Sequence, residues 1–487
     1  MDSRAKRSSL FKRIRRNLCN KNAYIYVIHK IFHILHKIPF FGCLLRNARK
    51  QDCTITIPKD MIHEETLHNF RLYTKNACEH SQYLKTDLNI KKTLTVNTIE
   101  NGVILPLRNH PGSQSFCGKG GVCDSDGNFV AGHKTHPEIS LTGLFVDEAY
   151  PLPIDIPYVD ETVVYGGLFY VHFGHFITES LSRMWYFVEN QSCRYRYVFI
   201  TPESHFPESS HLIEYLYMLG LNKDDIIILR EPTRFRSIII PDQSTYIYAG
   251  FRPGAMQVFN SIRNSIPPAK YDKVYFTRAK FRSYQHDIQD TTNEEYFENY
   301  FRTKGFDIIA PEQLSIRQQV AIMAGAKEYA CVSGSLHHHI LFGGKKLKAT
   351  ILNRSHCSME NAGMRVPMQW VSQMTECPVT IVDVYANFLP TSKYSSIYLL
   401  MPGIHWKAYI KDEFNDYGVK VTSSEVNGKV AEYIEKWCNK MIIETGSTIL
   451  EGHSEETFAD FIINYNDYIL NNNMEDTTVQ KLRDIFG

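Results

Sequence analysis

The densest run of side chains able to do chemistry is residues 166–185, GGLFYVHFGHFITESLSRMW. Read as a helix from Gly174 to Glu189 at about 100° per residue, it stacks His175, Glu179 and Arg183 one above another. Phe176, Ile177, Leu181, Met184 and Val188 then form the adjoining apolar stripe. A histidine and a carboxylate four residues apart share a proton or fix each other's orientation, as a general base for a hydroxyl requires. His172 joins the pair if the helix begins early. Two other readings fit the spacing. One is an intrahelical Glu179–Arg183 ion pair beside a core histidine. The other is a metal site on H-x-x-H-x-x-x-E, for which no third ligand follows. Gly166-Gly167 allows close backbone approach and the stripe is too apolar to face solvent, so acid–base chemistry ranks first.

A second constellation follows the apolar run Val274-Tyr275-Phe276, where Arg278, Lys280 and Arg282 lie just beyond Thr277. Open α/β sheets bind ligands at the carboxyl ends of their strands, which places these cations for a pyrophosphate. The competing reading is a solvated basic loop. A third constellation is Cys331–Phe342, where Ser333-Gly334-Ser335 joins a strand to a helix. Such a turn offers free N–H groups and the positive end of the helix dipole to a phosphate. His337, His338 and His339 diverge by about 100° along a helix, so they form no joint metal site and one of them is expected to face a cleft.

These residues require a scaffold of alternating strands and helices, and the sequence contains two such series. In the first, Val163–Tyr165, Tyr195–Thr201, Ile226–Leu229 and Ser237–Ile240 read as strands, with helices at Gly174–Glu189 and His211–Leu219. Upstream, Thr54–Ile57 and Val103–Leu107 are strand-like and the glycine-rich Gly118–Gly127 reads as a loop. A linker around Asn264–Lys270 carries Pro267-Pro268, which cannot continue a helix. In the second series Lys273–Thr277, Asp307–Ile309, Tyr329–Val332 and Ala349–Leu352 read as strands. Asn293–Thr303, Ile316–Ala324 and Leu336–Phe342 read as helices between them. The pattern predicts parallel sheets covered on both faces, with a cleft between two units. From Tyr385 the chain is less regular, with helices expected at Val426–Ile443 and Glu456–Leu470 as a buttress.

With 487 residues, 43% of them hydrophobic and 13% aromatic, the chain is globular and long enough for more than one core. Its net charge of +2 conceals a segregation: residues 1–50 hold 13 Lys and Arg against Asp2 alone. That arm carries +12 and the rest −10. Within it, Tyr24, Val27, Ile28, Ile31, Phe32, Ile34, Leu35 and Ile38 recur at helical spacing opposite His29, Lys30, His33, His36 and Lys37. Two lysines and three histidines exclude a comfortable membrane span, whereas an amphipathic helix lying on an anionic membrane fits, aided by Lys12, Arg13, Arg15 and Arg16. No cleavable signal peptide is evident. The eleven cysteines are scattered without a C-x-x-C pair, which fits a reducing cytosol. The expected location is therefore cytoplasmic, peripheral on the inner face of a membrane, with no nucleic-acid partner.

Across residues 160 to 355 these blocks resemble glycosyltransferase family 61. The resemblance runs through His175, Glu179 and Arg183, then Phe276-Thr277-Arg278 and Asn293-Glu294. It continues through Gly305-Phe306, Pro311-Glu312-Gln313-Leu314-Ser315 with Gln318 or Gln319, and Gly334-Ser335 followed by His338 and Phe342. It implies an α/β, GT-B-like fold of two doubly wound, Rossmann-like domains. On that division residues 1–50 dock to the membrane, 51–265 form the acceptor domain, 266–384 the nucleotide-sugar domain and 385–487 a helical C-terminal extension. The resemblance further implies inverting transfer of a sugar from a nucleotide-sugar, UDP first, to a glycan or lipid-linked acceptor in surface polysaccharide synthesis, with no metal and no cofactor. His175, Glu179 and Arg183 would be catalytic. Arg278, Arg282, Asn293, Glu294, Gly334, Ser335 and His338 would hold the donor. A non-catalytic, membrane-docked assembly subunit and a sugar-phosphate transferase are the competing functions.

Overall fold

The computed structural model describes residues 63–67, 70–74, 77, 83–109, 118–138, 146–202, 206–279, 289–355, 362–390, 396–417 and 429. The basic arm, Thr54–Ile57, Lys280, Arg282 and the helices expected at 426–443 and 456–470 lie outside the described residues, apart from Lys429.

Two large sheets organise the chain. In the first, Thr233–Pro241, Tyr158–Leu168, Arg196–Ile200 and Ile226–Leu229 run parallel as neighbours. Val103–Asn109, Gly118–Cys123 and Phe129–Ala131 extend it antiparallel on the other side, and Val96–Glu100 also pairs with Thr233–Pro241. This sheet is mixed where the sequence suggests a parallel one. Gly118–Cys123 is a strand and not a loop: a Cβ on Gly118 would stand 1.9 Å from the Arg108 carbonyl oxygen. Glycine serves there because neighbouring backbone comes too close for a side chain, a use that composition alone reads as a turn.

The second sheet runs in the order Asp307–Ile309, Lys273–Phe276, Glu328–Val332, Lys348–Asn353, Val379–Asp383, Phe70–Tyr73, His63–Leu67. All its pairings are parallel except the last. The apolar, β-branched runs of its central strands are buried on both faces, as a parallel sheet requires. His63–Leu67 and Phe70–Tyr73 belong to this sheet although they precede the first one in the chain. Strand order reverses between Lys273–Phe276 and Glu328–Val332, which makes the carboxyl ends of those two strands the topological switch point.

One apolar core, including Phe176, Tyr215, Phe259, Ile340, Phe342 and Trp370, runs continuously between the two sheets. A second, built on Trp406, Phe297, Phe301 and Tyr409, covers the opposite face of the second sheet. Its Trp406 and Tyr409 come from the helix Ile404–Phe414, in a stretch whose sequence pattern is irregular. Local signals set the element ends. The helix Ile316–Gly325 opens on a Ser315/Gln318 capping box, and Glu214–Leu219 closes on Gly220 at φ 113°. Among the described residues no helix is long and apolar enough to cross a membrane.

Candidate active site

The helix expected from Gly174 to Glu189 is broken into a short α-helix Phe173–Thr178, a 3₁₀ turn Ser180–Arg183 and a second α-helix Trp185–Glu189. The break has a physical cause. The Thr178 carbonyl accepts a hydrogen bond from Thr245 Oγ1 (2.7 Å) and the Ser182 carbonyl one from Ser244 N (2.8 Å). Ser180 Oγ meanwhile accepts from Tyr170 N (2.9 Å). Serine and threonine contacts thus replace part of the helical ladder.

The break changes what the three stacked residues do. His175 and Glu179 remain paired, with Nδ1 2.6 Å from Oε2. Glu179 turns fully inward, and its other oxygen lies 3.1 Å from Nε2 of His133, a residue that no motif in the sequence singles out. Arg183 makes no pair with Glu179. Its guanidinium donates to the carbonyls of Pro241 and Gly132, the latter at 2.7 Å. The intrahelical ion pair is thereby excluded, and each oxygen of the Glu179 carboxylate is engaged by a histidine.

Electrostatics follow the geometry. Burial opposes ionisation of Glu179, but the bonds from His133 and His175 outweigh it and hold the carboxyl below its ordinary value. Burial pushes His133 down, so its ring is neutral and donates from Nε2–H. Both imidazoles then donate to one carboxylate, which leaves Nε2 of His175 as the nitrogen without that partner. The His175 side chain retains 21% exposure against none for Glu179, so His175 is the member that can touch a ligand.

Across the seam stands the second sheet's switch point. A Cβ built on Gly174 would lie 2.8 Å from Ser335 Oγ and 3.4 Å from His338 Cδ2. Phe173 stacks on His339 with centroids 4.9 Å apart. Burial lowers His172 to about 4, assisted by the nearby positive charges of His175 and Arg278. The two constellations therefore adjoin.

At the switch point, Gly334 adopts φ 135° and ψ −159°, a region open to glycine alone. A Cβ there would lie 3.1 Å from Arg354 Nη2 and 3.5 Å from Arg278 Nη1, so two guanidiniums border one turn. Arg354 follows the strand Lys348–Asn353 just as Arg278 follows Lys273–Phe276, and its guanidinium covers the Tyr398 ring at 4.4 Å. Gly334→Ala is expected to cost about 1–3 kcal/mol in chemical denaturation from backbone strain alone, and to displace Arg354.

The other expected donor residues lie behind this turn. Glu294 is buried; Oε1 accepts from Arg278 N (3.0 Å) and Tyr275 Oη (3.2 Å), and Oε2 from Thr291 Oγ1 (3.0 Å). Asn293, at φ 74°, donates to the Leu400 carbonyl (2.9 Å). Glu294 holds the backbone at Arg278, while Asn293 ties the start of its helix to Leu400. The segment Ser335–Phe342 is a 3₁₀ helix, and all three histidines on it are buried, contrary to the expectation that one faces a cleft. His339 sits between the Leu336 carbonyl and Gln319 Oε1, while burial keeps His337 neutral, at about 3.

Burial, more than any other influence, raises the Glu294 carboxyl to about 7. The unfolded chain releases this proton near pH 4.5 and the folded one near 7, so the folded state binds more protons in between. Folding stability should therefore fall as pH rises from 4.5 to 7. In denaturant titrations across that window, Glu294→Gln is expected to show a flatter pH dependence than the wild type.

In this α/β chain a histidine–carboxylate pair thus lies beside a turn bordered by two arginines at the switch point of the second sheet. Residues 173–351 match the family described as Glycosyltransferase 61, and this segment is that of a glycosyltransferase. No curated protein matches the chain. The matched segment contains His175, Glu179, Arg183, Arg278 and Gly334; His133 and Arg354 fall outside it.

Proposed function

We propose that this glycosyltransferase moves a sugar from a nucleotide-sugar, UDP-linked as first choice, to a hydroxyl of a glycan or lipid-linked acceptor, with inversion and without a metal. The observation that carries the proposal is the adjacency of the His175–Glu179 pair to the Arg278–Gly334–Arg354 turn. Nε2 of His175 removes the acceptor proton as the acceptor oxygen bonds to the anomeric carbon. The bond from that carbon to the diphosphate breaks, and its electron pair stays on the diphosphate oxygen. Arg278, Arg354 and the backbone at Gly334-Ser335 receive the charge, a role for preorganised cations and N–H groups that replaces a metal ion. Glu179 orients the base and supports its positive charge without touching substrate.

In this reading the two sheets correspond to the halves of a GT-B enzyme, with donor on the second sheet and acceptor beside the first. Docking to the inner face of a membrane through residues 1–50 is supported by the charge segregation of the sequence, and surface polysaccharide synthesis is the setting the family resemblance implies. Product analysis tests the chemistry. Release of a nucleoside diphosphate together with an inverted glycoside, read by proton NMR of the new anomeric centre, is expected. A nucleoside monophosphate would instead identify a sugar-phosphate transferase, and retention would overturn direct displacement.

A further inference from the structure

His133 lies 46 positions before Glu179, outside the family segment, in a stretch with no motif of its own. Its side chain is 1% exposed and Nε2 reaches Glu179 Oε1. The backbone around it is closely tied. Gly132 O accepts from Arg183, His133 N and O pair with Val146 O and N (2.8 and 2.9 Å), and Gln243 bonds Lys134 N and O (2.8 and 2.9 Å). The ring also meets Tyr170 edge-on, with centroids 5.6 Å apart. Arg183, whose spacing suggests a catalytic part, instead ties the His133 loop to the strand that ends at Pro241. So much constraint on one buried imidazole serves a purpose beyond filling space, because an apolar residue would fill it without the cost of burying a polar ring.

We propose that His133 is a positioning residue for the transfer reaction: it fixes the Glu179 carboxylate so that the opposite oxygen holds the His175 ring in one orientation and one tautomer. The proposal rests on His175 being the base. Glu179 is faced by His133, His175 and, from the segment before Gly250, Tyr248; Arg183 acts on His133. His175 is faced by Glu179, His172 and His338. If the His133 bond is lost, the carboxylate has one donor fewer, and nothing else among the described residues fixes the oxygen opposite His175.

The full chain, labelled with ¹⁵N at histidine, supplies a readout that needs no substrate. The short Nδ1–H bond of His175 should give a low-field imidazole proton, abolished in Glu179→Gln and in His175→Ala. In His133→Ala this resonance should move, and turnover of a nucleotide-sugar should fall by about tenfold or more. His133→Gln, which restores an amide donor, should recover most of both signals, including when His133→Ala folds poorly. An unmoved resonance and wild-type turnover in folded His133→Ala would overturn the proposal, as would failure of His133→Gln to differ from His133→Phe. Unchanged turnover in His175→Ala would instead sink the base assignment, leaving the resonance to judge His133 separately.

Discussion

Replacing His175 by alanine should lower turnover by about 10²–10⁴-fold, the range of a lost general base, while nucleotide binding stays intact. The division follows from position. His175 is the partly exposed member of a pair whose other half is sealed inside, and the proposed phosphate contacts come from different elements. Glu179→Gln should also be severe, since an amide can accept from His175 but carries no charge to balance the imidazolium. It should lose stability as well, because His133 and His175 would then compete for one amide oxygen inside a buried site. Thermal shift with nucleotide separates the two variants: His175→Ala should keep the wild-type increment on a normal baseline, and Glu179→Gln should keep it on a lowered one.

The second large effect is expected at the turn. Arg278→Ala should weaken nucleotide binding and slow transfer by about 10²–10³-fold, the loss usual for one donor to a developing oxyanion. Arg354→Ala should behave alike, because both guanidiniums border Gly334. The pair should not be additive, since each arginine acts on the same phosphate charge. Isothermal titration with UDP and GDP reads the binding part directly. A full wild-type affinity in either single variant would remove that arginine from the donor site. Lysine at either position should restore only part of the effect, because it supplies charge without the planar fork.

Much of this site is legible in the sequence because it rests on local rules. Arg278 and Gly334 each sit just past an apolar strand of an α/β pattern, where ligands bind, and both stand at the switch point. The same rule applied to Lys348–Asn353 points to Arg354, although no motif there draws the eye to it. The i, i+4 relation of His175 and Glu179 holds because Glu179 N still bonds the His175 carbonyl at 2.8 Å. One step further it fails. Arg183 leaves the line because Thr245 and Ser244, more than 60 residues away, capture the helix carbonyls. No periodicity in residues 173–189 records that contact.

His133 is hidden for a similar reason. Its neighbours form a polar, glycine-containing run, and what makes it special is Glu179, Arg183 and Gln243 arriving from elsewhere. The glycine-rich strand Gly118–Cys123 shows the limit of composition: Gly120 and Gly121 carry positive φ as turn residues do, yet Gly121 pairs with Leu105 in a ladder and Gly120 lies at the register shift beside it. The helix angle that separates the three histidines at 337–339 does not apply to a 3₁₀ turn packed on all sides. In each case the local pattern is present and tertiary contacts change its consequence.

The proposed mechanism needs a His175 base beside an arginine-lined donor site. Wild type, His175→Ala and Arg278→Ala should be incubated with UDP-, GDP-, CMP- and dTDP-sugars, measuring thermal shift and free nucleotide in the same samples. One donor should stabilise the wild type and be turned over, stabilise His175→Ala without turnover, and leave Arg278→Ala unshifted. Turnover by His175→Ala at the wild-type rate, or a folded wild type that no donor stabilises, would contradict the account.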